Sequence, residues 1–493
     1  MKLEVILRAL TGVVAVKGSL GAEITGIAYD SRHVRRGYLF AAMPGARDDG
    51  WAYVADAVER GAAAILSTHP ACPWHELTCI HVRDVRQALA EAAAAFHHFP
   101  AARLRVLGIT GTNGKTTSAF LLRRILDDAG WAPGLIGTVQ YEIGERVIPA
   151  QRTTPESADL QALFDQMLQA GCRSVVMEAS SHALDQGRVR GIEFDAALFT
   201  NLTRDHLDYH SSMESYFDAK RRLFTELGRG ARQAVAVINL DDPYGARLAA
   251  LPLAAPVVTY GIADPAAQVR AVEIALEPSC SHFTIATTAG RFPIALRLLG
   301  RFNVHNALGA FATATALGIA PEVVARALGA VAAVPGRMEP ISNRRGLNIF
   351  VDYAHTDDAL NKALTTLNEL RGGHPGRMIV VFGCGGNRDT VKRVLMGAVA
   401  RQLADHVVLT SDNPRKDDPL EIIAAIRAGY GDGGSCEIEP DRAKAIRRAL
   451  ALARAGDCVL IAGKGHETTQ EFANTIVPFD DREEARRALR ELG

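Results

Sequence analysis

The sequence has no excess of either charge: Lys+Arg and Asp+Glu number 55 each among 493 residues. No global field therefore draws the chain to nucleic acid or to an anionic membrane, and any anionic ligand has to be met by local charges. Cysteine is scarce. The seven, at 72, 79, 172, 280, 384, 436 and 458, include no CxxC pair. That argues against a disulfide framework or a structural zinc site and fits a reducing cytoplasm. No apolar run approaches the ~20 residues of a spanning helix. The start, MKLEVILRAL, carries Glu4 and lacks a long apolar core, so it does not read as a signal peptide. There is no fixed-period repeat and no low-complexity tract. These absences predict a cytoplasmic protein with no nucleic-acid partner and no stable membrane insertion. Its length is too great for one core.

What is present is alternation. Residues 1 to 102 mix short strand-like runs with Gly-rich turns; GAAAILS reads as a buried strand, and VRQALAEAAAAFHHF as a helix closed by Pro100. From residue 104 apolar runs alternate with helical stretches: LRVLGIT, SVVMEAS, AALFTNLT and AVAVINLDD. This is the texture of an α/β domain with a mostly parallel sheet. AAVPGRMEP breaks the pattern near residue 335, and LNIFVDYAH, RMIVVFGCGG, HVVLTSDNPR and CVLIAGKGHE follow. Ligands bind beyond the carboxyl ends of strands in open α/β sheets, so these four ends predict a site. The expected divisions are 1–102, 103–335 and 336–493.

GITGTNGKTTSAF, residues 108–120, enters a helix from an apolar run and ends in Gly-Lys-Thr. Strand, loop and helix are the setting of a phosphate-binding loop. Backbone N–H groups and the helix N-terminus form an anion cradle, and the helix end supplies roughly +0.5 charge. Lys115 would add a full charge at the β- and γ-phosphates, and the Thr116 hydroxyl could ligate Mg²⁺. The bland alternative is a Gly-rich turn with a surface lysine. Ile109 stands where the usual pattern has its first glycine. That weakens the case for a GTPase or motor ATPase, and no strong Asn-Lys-x-Asp guanine signature is present.

GTNGKTT, MEASSHALDQGRV, FTNLTRDHLDYH, YFDAKRRLF, GRFNVHNALGA, PGRME, VDYAH and GKGHE occur together in this chain. In these motifs the sequence resembles the Mur ligases of peptidoglycan precursor synthesis, from YDSR near the start to the last strand. The resemblance implies an α/β protein of three domains: a mixed α/β N-terminal domain, a central P-loop ATPase-like domain and a C-terminal Rossmann-like domain. It implies a monomeric ATP-dependent amide ligase that turns a carboxylate into an acyl phosphate for attack by an amine. The member most resembled adds meso-diaminopimelate to UDP-N-acetylmuramoyl-L-Ala-D-Glu. The alternatives are a lysine-adding sister enzyme, a folylpolyglutamate synthetase-like ligase, and a P-loop regulator or motor that hydrolyses nucleotide without an amine acceptor. Folylpolyglutamate synthetases share the loop but lack the DNPR segment and this type of N-terminal domain.

The resemblance also implies residue roles. The loop residues Gly111, Thr112, Asn113, Gly114, Lys115, Thr116 and Thr117 hold ATP, with Asn303 and Asn306 nearby. Arg337 and Asp352 meet ATP from the third domain, so the site closes by a hinge. Lys115, Glu178, His206 and Lys220 form the catalytic set. Mg²⁺ is held by Thr116, Glu178 and His206, and by Lys220 once CO₂ has carbamylated it, which replaces a cation with an anion. On residue type alone Glu178 reads as a buried paired acid, His206 as a core histidine competing with Asp205 and Asp208, and Lys220 as part of a solvated helix face. Ser31 contacts the uridine end of the nucleotide sugar, and Thr153, Thr154, Ser180, Gln186 and Arg188 grip its dipeptide. The bland readings are a turn before Pro155 for the threonines and a helix cap for Ser180.

The amino acid falls to Arg388, Asp412, Asn413, Pro414, Arg415, Gly463 and Glu467. DNPR would select diaminopimelate because a guanidinium takes its distal carboxylate through two parallel bonds. An unpaired buried charge costs roughly 3–5 kcal/mol, so at least ~100-fold preference over lysine is expected. Otherwise the segment is a simple turn. The chain departs from the family pattern at Asp357 and Val394, where proline is usual, and at Asn387, where aspartate is usual, and local loop changes are expected there.

Overall fold

Each apolar run named above forms a strand, because β-branched and apolar residues suit a sheet buried on both faces. The structure is a computed structural model that describes all residues except 46–48, 72, 75–76, 278, 373–375 and 388–389. Its described strands fall into three main sheets and a terminal hairpin. The first sheet has five strands, Val13–Lys17 to Thr78–Val82, all parallel except for the first pairing. The second has eleven, and the third six.

The second sheet sets up the site. Arg105–Thr110 lies at its centre, parallel to Ser174–Glu178 on one side and Ala196–Phe199 on the other. The carboxyl ends of three strands are therefore side by side, at Thr110, Glu178 and Phe199. Ile109 is fully buried and pairs with both neighbours. Where the usual loop would already have begun, this chain is still strand, which explains the short loop. The parallel centre passes into antiparallel edges: Gln140–Ile143 and Arg146–Pro149 at one end, Cys280–Thr287 and Gly290–Leu296 at the other. The sequence reading picked out none of these edge strands.

Helix Lys115–Asp128 follows the loop and packs against Arg301–Ala316, whose residues are mostly buried. In the third sheet Asn348–Asp352, Cys458–Ala462, Met378–Phe382 and His406–Leu409 lie in that order, all parallel. The helix foreseen as closed by Pro100 ends at Phe96, and Phe99 takes a left-handed conformation before Pro100. Cys79 is disulfide-bonded, which the cysteine pattern had not suggested. Cys172, Cys280, Cys384, Cys436 and Cys458 are free. Among the described residues no helix is long and apolar enough to cross a membrane.

Candidate active site

The loop 111–114 turns on two glycines. Gly111 (φ +150°) presses on Thr200 and Gly114 (φ +85°) on Asn306, so closely that a Cβ on either would collide. The strand end beside it ties the loop down. Thr112 N donates to Asn201 O (2.8 Å), Asn113 N to Asn201 Oδ1 (3.0 Å), and Thr200 Oγ1 to Asn113 O (2.7 Å). Lys115 folds back and donates to the carbonyls of Gly111 (2.9 Å) and Thr112 (2.7 Å). Lys220 donates to the same Gly111 oxygen from the other side (2.7 Å). Two lysines converging on one buried carbonyl is an electrostatically costly arrangement. Burial, then the nearby Lys115 charge, pushes the Lys220 amine well below the ordinary lysine range. Lys220 is 1% exposed, so the solvated-face reading is wrong; Leu223, Phe224 and Phe217 of the same helix bury beside it.

Glu178 ends its strand one residue before a tight network. Its carboxylate accepts from Thr138 N (2.8 Å), Thr138 Oγ1 (2.9 Å) and Thr116 Oγ1 (3.1 Å). Arg337, stacked over the Tyr353 ring, donates to that same Thr116 hydroxyl (3.1 Å). His206 sits in a left-handed conformation beside Asp205 (3.5 Å), and burial lowers its imidazole below the ordinary histidine range. That favours the neutral ring, the form able to act as a ligand. Thr116, Glu178, His206 and Lys220 all line one cavity of about 420 Å³. Among the described residues no three His, Cys, Asp or Glu side chains gather as a metal cluster. The oxygens of Thr116 and Glu178 nonetheless fit Mg²⁺, which keeps several waters and takes only one or two carboxylates. Burial favours the neutral amine of Lys220, and a neutral amine is the form that takes up CO₂.

Thr112, Asn113, Gly114, Thr117, Asn306, Arg337 and Asp352 line the same cavity. Asn303 sits behind it, accepting from Asn306 Nδ2 (3.0 Å). Asp352 is half-buried at the end of its strand; its desolvation raises its pKa, and it accepts from Met338 N (2.7 Å). Of the nucleotide-sugar set, Thr153 bonds Thr138 (3.1 Å), and Thr154 donates to Glu178 O (2.7 Å) and lies 3.3 Å from Ser180 Oγ. Ser180 also caps its helix, as the bland reading held. Arg188 donates to Thr154 O (2.9 Å) and Gln186 Oε1 (2.7 Å) and pairs with Glu156 (3.0 Å). Its guanidinium is thus already engaged. Ser31 belongs to the first-sheet unit, where it bonds Asp56.

The amino-acid set forms a second cluster, outside that cavity. Asn413 Oδ1 accepts from Lys464 Nζ (2.9 Å) and Glu471 N (3.0 Å), and Asn413 Nδ2 donates to Glu467 (2.8 Å). This leaves Asn413 one N–H for a ligand. Asp412 is buried with Oδ2 unpartnered, and a Cβ on Gly463 would meet that oxygen at 2.5 Å. Pro414 O abuts Gly386. Arg415 pairs with Glu471 (2.9 Å) and is not a free cation. Arg388 lies outside the described residues. Tyr353 links the two clusters: burial first, then Glu467, raises its phenol. The sequence reading missed Thr138, Thr200, Asn201 and Glu471. Of the departures, Asp357 pairs with Arg204 (2.9 Å), Asn387 takes a left-handed turn (φ +53°), and Val394 is exposed.

Known proteins show the same assembly. The Mur ligase family catalytic domain matches residues 23–97, the Mur ligase middle domain 109–314, and the Mur ligase glutamate ligase domain 336–465. The chain belongs to the Mur ligase family. It is 45% identical to the UDP-N-acetylmuramoyl-L-alanyl-D-glutamate–2,6-diaminopimelate ligase of Geobacter metallireducens, with 100% of this chain and 99% of that one covered. It is 47% identical to the protein of the same name from Solibacter usitatus, covering 96% and 94%. A solved structure of a ligase of that name superposes with a TM-score of 0.69 at 31% identity, covering 100% and 99%. A folylpolyglutamate synthase of Mycobacterium tuberculosis, complexed with ADP and AMPPCP, shares the fold (TM-score 0.62, 18% identity) over 77% of this Mur ligase chain and 92% of its own.

Proposed function

We propose that the chain is an ATP-dependent ligase that joins meso-2,6-diaminopimelate to the D-Glu side-chain carboxylate of UDP-N-acetylmuramoyl-L-Ala-D-Glu. The reaction runs through an acyl phosphate, releases ADP and phosphate, and belongs to cytoplasmic peptidoglycan precursor synthesis. One observation supports the reading most: the Thr116 hydroxyl, at the head of the phosphate-loop helix, bonds both Glu178 and Arg337. A strand-end carboxylate of the second sheet and a guanidinium from the segment that leads into the third sheet thus meet at one hydroxyl. The names of the relatives support the substrate.

We assign nucleotide-sugar binding to residues 1–102, with Ser31 at the uridine end, ATP binding to 103–335, and the amino acid to 336–493. In this reading Lys115 leaves its own loop carbonyls and swings to the β- and γ-phosphates. Little covalent help is needed for phosphoryl transfer, so fixed positive charge provides the catalysis. The substrate carboxylate attacks the γ-phosphorus, the bond to the ADP oxygen breaks, and the amine then attacks the acyl carbon and expels phosphate. Mg²⁺, when bound, neutralises phosphate charge; Thr116, Glu178, His206 and carbamylated Lys220 would hold it. Thr153, Thr154, Ser180, Gln186 and Arg188 orient the dipeptide beside Glu178.

The test is phosphate release with ATP, the nucleotide dipeptide and a panel of amino acids, with the product weighed by mass spectrometry. Release only with diaminopimelate, and a product heavier by one diaminopimelate less water, is expected. Release with L-lysine alone would make this the lysine-adding sister. Release with no amine at all would make it a nucleotide-driven switch.

A further inference from the structure

The strand Thr469–Phe472 opens the terminal hairpin and runs along the Asp412–Arg415 turn. It touches that turn at three of its four residues. Gln470, itself buried, donates Nε2 to Asp412 O (2.7 Å). Glu471 N donates to Asn413 Oδ1 (3.0 Å), and Glu471 O accepts from Arg415 N (3.0 Å). Ala473 N closes the set on Arg415 O. Arg415 is held at φ +54°, a left-handed conformation that a non-glycine residue keeps only when its surroundings over-determine it. Both its backbone groups are bonded by the hairpin.

The side chain is fixed in the same way. Glu471 Oε2 accepts from Arg415 Nε (2.9 Å), and Arg415 Nη1 donates to Gly386 O (3.0 Å). A guanidinium is a planar fork with five N–H groups. Two bonds on different nitrogens stop its rotation and leave the remaining Nη hydrogens for a ligand. We infer that Glu471 is a positioning residue for the amino-acid acceptor: it aims the Arg415 fork at the carboxylate on the acceptor's far end. The inference rests on the functional reading above, in which Arg415 meets that carboxylate. Glu471 itself touches Arg415 and not the reacting atoms. Its carboxylate also keeps the fork paired when no acceptor is bound, so the empty site holds no bare cation.

The test uses the full chain, with ATP and the nucleotide dipeptide saturating and diaminopimelate or L-lysine varied. Glu471→Ala is expected to raise KM for diaminopimelate about tenfold, with kcat and KM for ATP within about twofold of wild type. Glu471→Gln keeps an amide oxygen that accepts from Nε, so its KM should stay within about threefold of wild type. Whatever use the enzyme makes of lysine, which has no distal carboxylate to be aimed at, should lose only the small screening that Glu471 provides, a rise in KM below about threefold for either change. Three results each overturn the inference alone: an unchanged diaminopimelate KM in Glu471→Ala, an equal rise in the ATP KM, or equal damage from Gln and Ala. A wild type that fails to turn over diaminopimelate overturns the functional reading first, and this inference with it.

Discussion

Discrimination between diaminopimelate and lysine can be worked from the Arg415 site. The argument from residue types treats Arg415 as a buried cation that lysine would leave without a partner, at roughly 3–5 kcal/mol. The structure lowers that figure. Arg415 is 26% exposed and stays paired with Glu471 whichever amino acid enters. The penalty for an unpaired charge therefore does not apply in full. What lysine forfeits is the charge-assisted bonding to a distal carboxylate, about 1.5–3 kcal/mol. At ~1.4 kcal/mol for each factor of ten, this predicts roughly 10- to 150-fold in kcat/KM. Repulsion between the lysine ammonium and the guanidinium is damped by Glu471 and adds little. The assay is phosphate release with each amino acid varied at saturating ATP and nucleotide dipeptide. Arg415→Ala should lose most diaminopimelate activity without gaining lysine activity, because removing a cation creates no partner for an ammonium. Equal kcat/KM for the two amino acids in wild type would refute the reasoning. So would an Arg415→Ala enzyme that used diaminopimelate normally.

Lys115→Ala should lose at least about tenfold in ATP turnover with an unchanged circular dichroism spectrum, since its ammonium bonds only the loop it serves. Retained turnover would remove the phosphate-loop assignment. Lys220→Ala should be inactive and partly recover with short carboxylates that replace the lost anion; a fully active variant sinks the carbamate. In CO₂-free buffer the depressed Lys220 pKa has a further consequence. Between that folded-state value and the unfolded ~10.4, the unfolded chain binds more protons, so this residue's contribution to stability rises with pH. Lys220→Met should then gain most over wild type at neutral pH and less at pH ~9, read by urea unfolding. A gain that does not shrink with pH contradicts it. Finally, Arg442 and Asp481 form a fully buried pair (2.7 Å), and Arg442 also donates to Ser411 O (3.3 Å) and Ala462 O (2.8 Å). Arg442→Met alone should cost about 3–5 kcal/mol, and adding Asp481→Leu should restore much of it. Hydrogen exchange of strands His406–Leu409 and Cys458–Ala462 would report this; a single variant as protected as wild type refutes it.

Much of this protein was determined locally. The apolar runs before GTNGKTT, at AVAVIN and before GKGHE had to be strands, since such residues bury on both faces of a parallel sheet. Gly111 and Gly114 had to be glycine, because the loop approaches its neighbours too closely for a Cβ. The motif set named the family. The antiparallel edges went unread: Gly290–Leu296 alternates inward Phe292, Ile294 and Leu296 with exposed Arg291, Pro293 and Ala295, but which strand it pairs with is set by tertiary pairing. Lys220 beside two arginines reads as a wet helix face, and only folding carries it under the phosphate loop. Glu471 carries no signal at all, since its meaning depends on a hairpin arriving 56 residues away at Arg415. Strand ends and side-chain chemistry are written residue by residue. Which strand end lies beside which, and so which charges must share one buried space, is decided by the order of strands in the sheets.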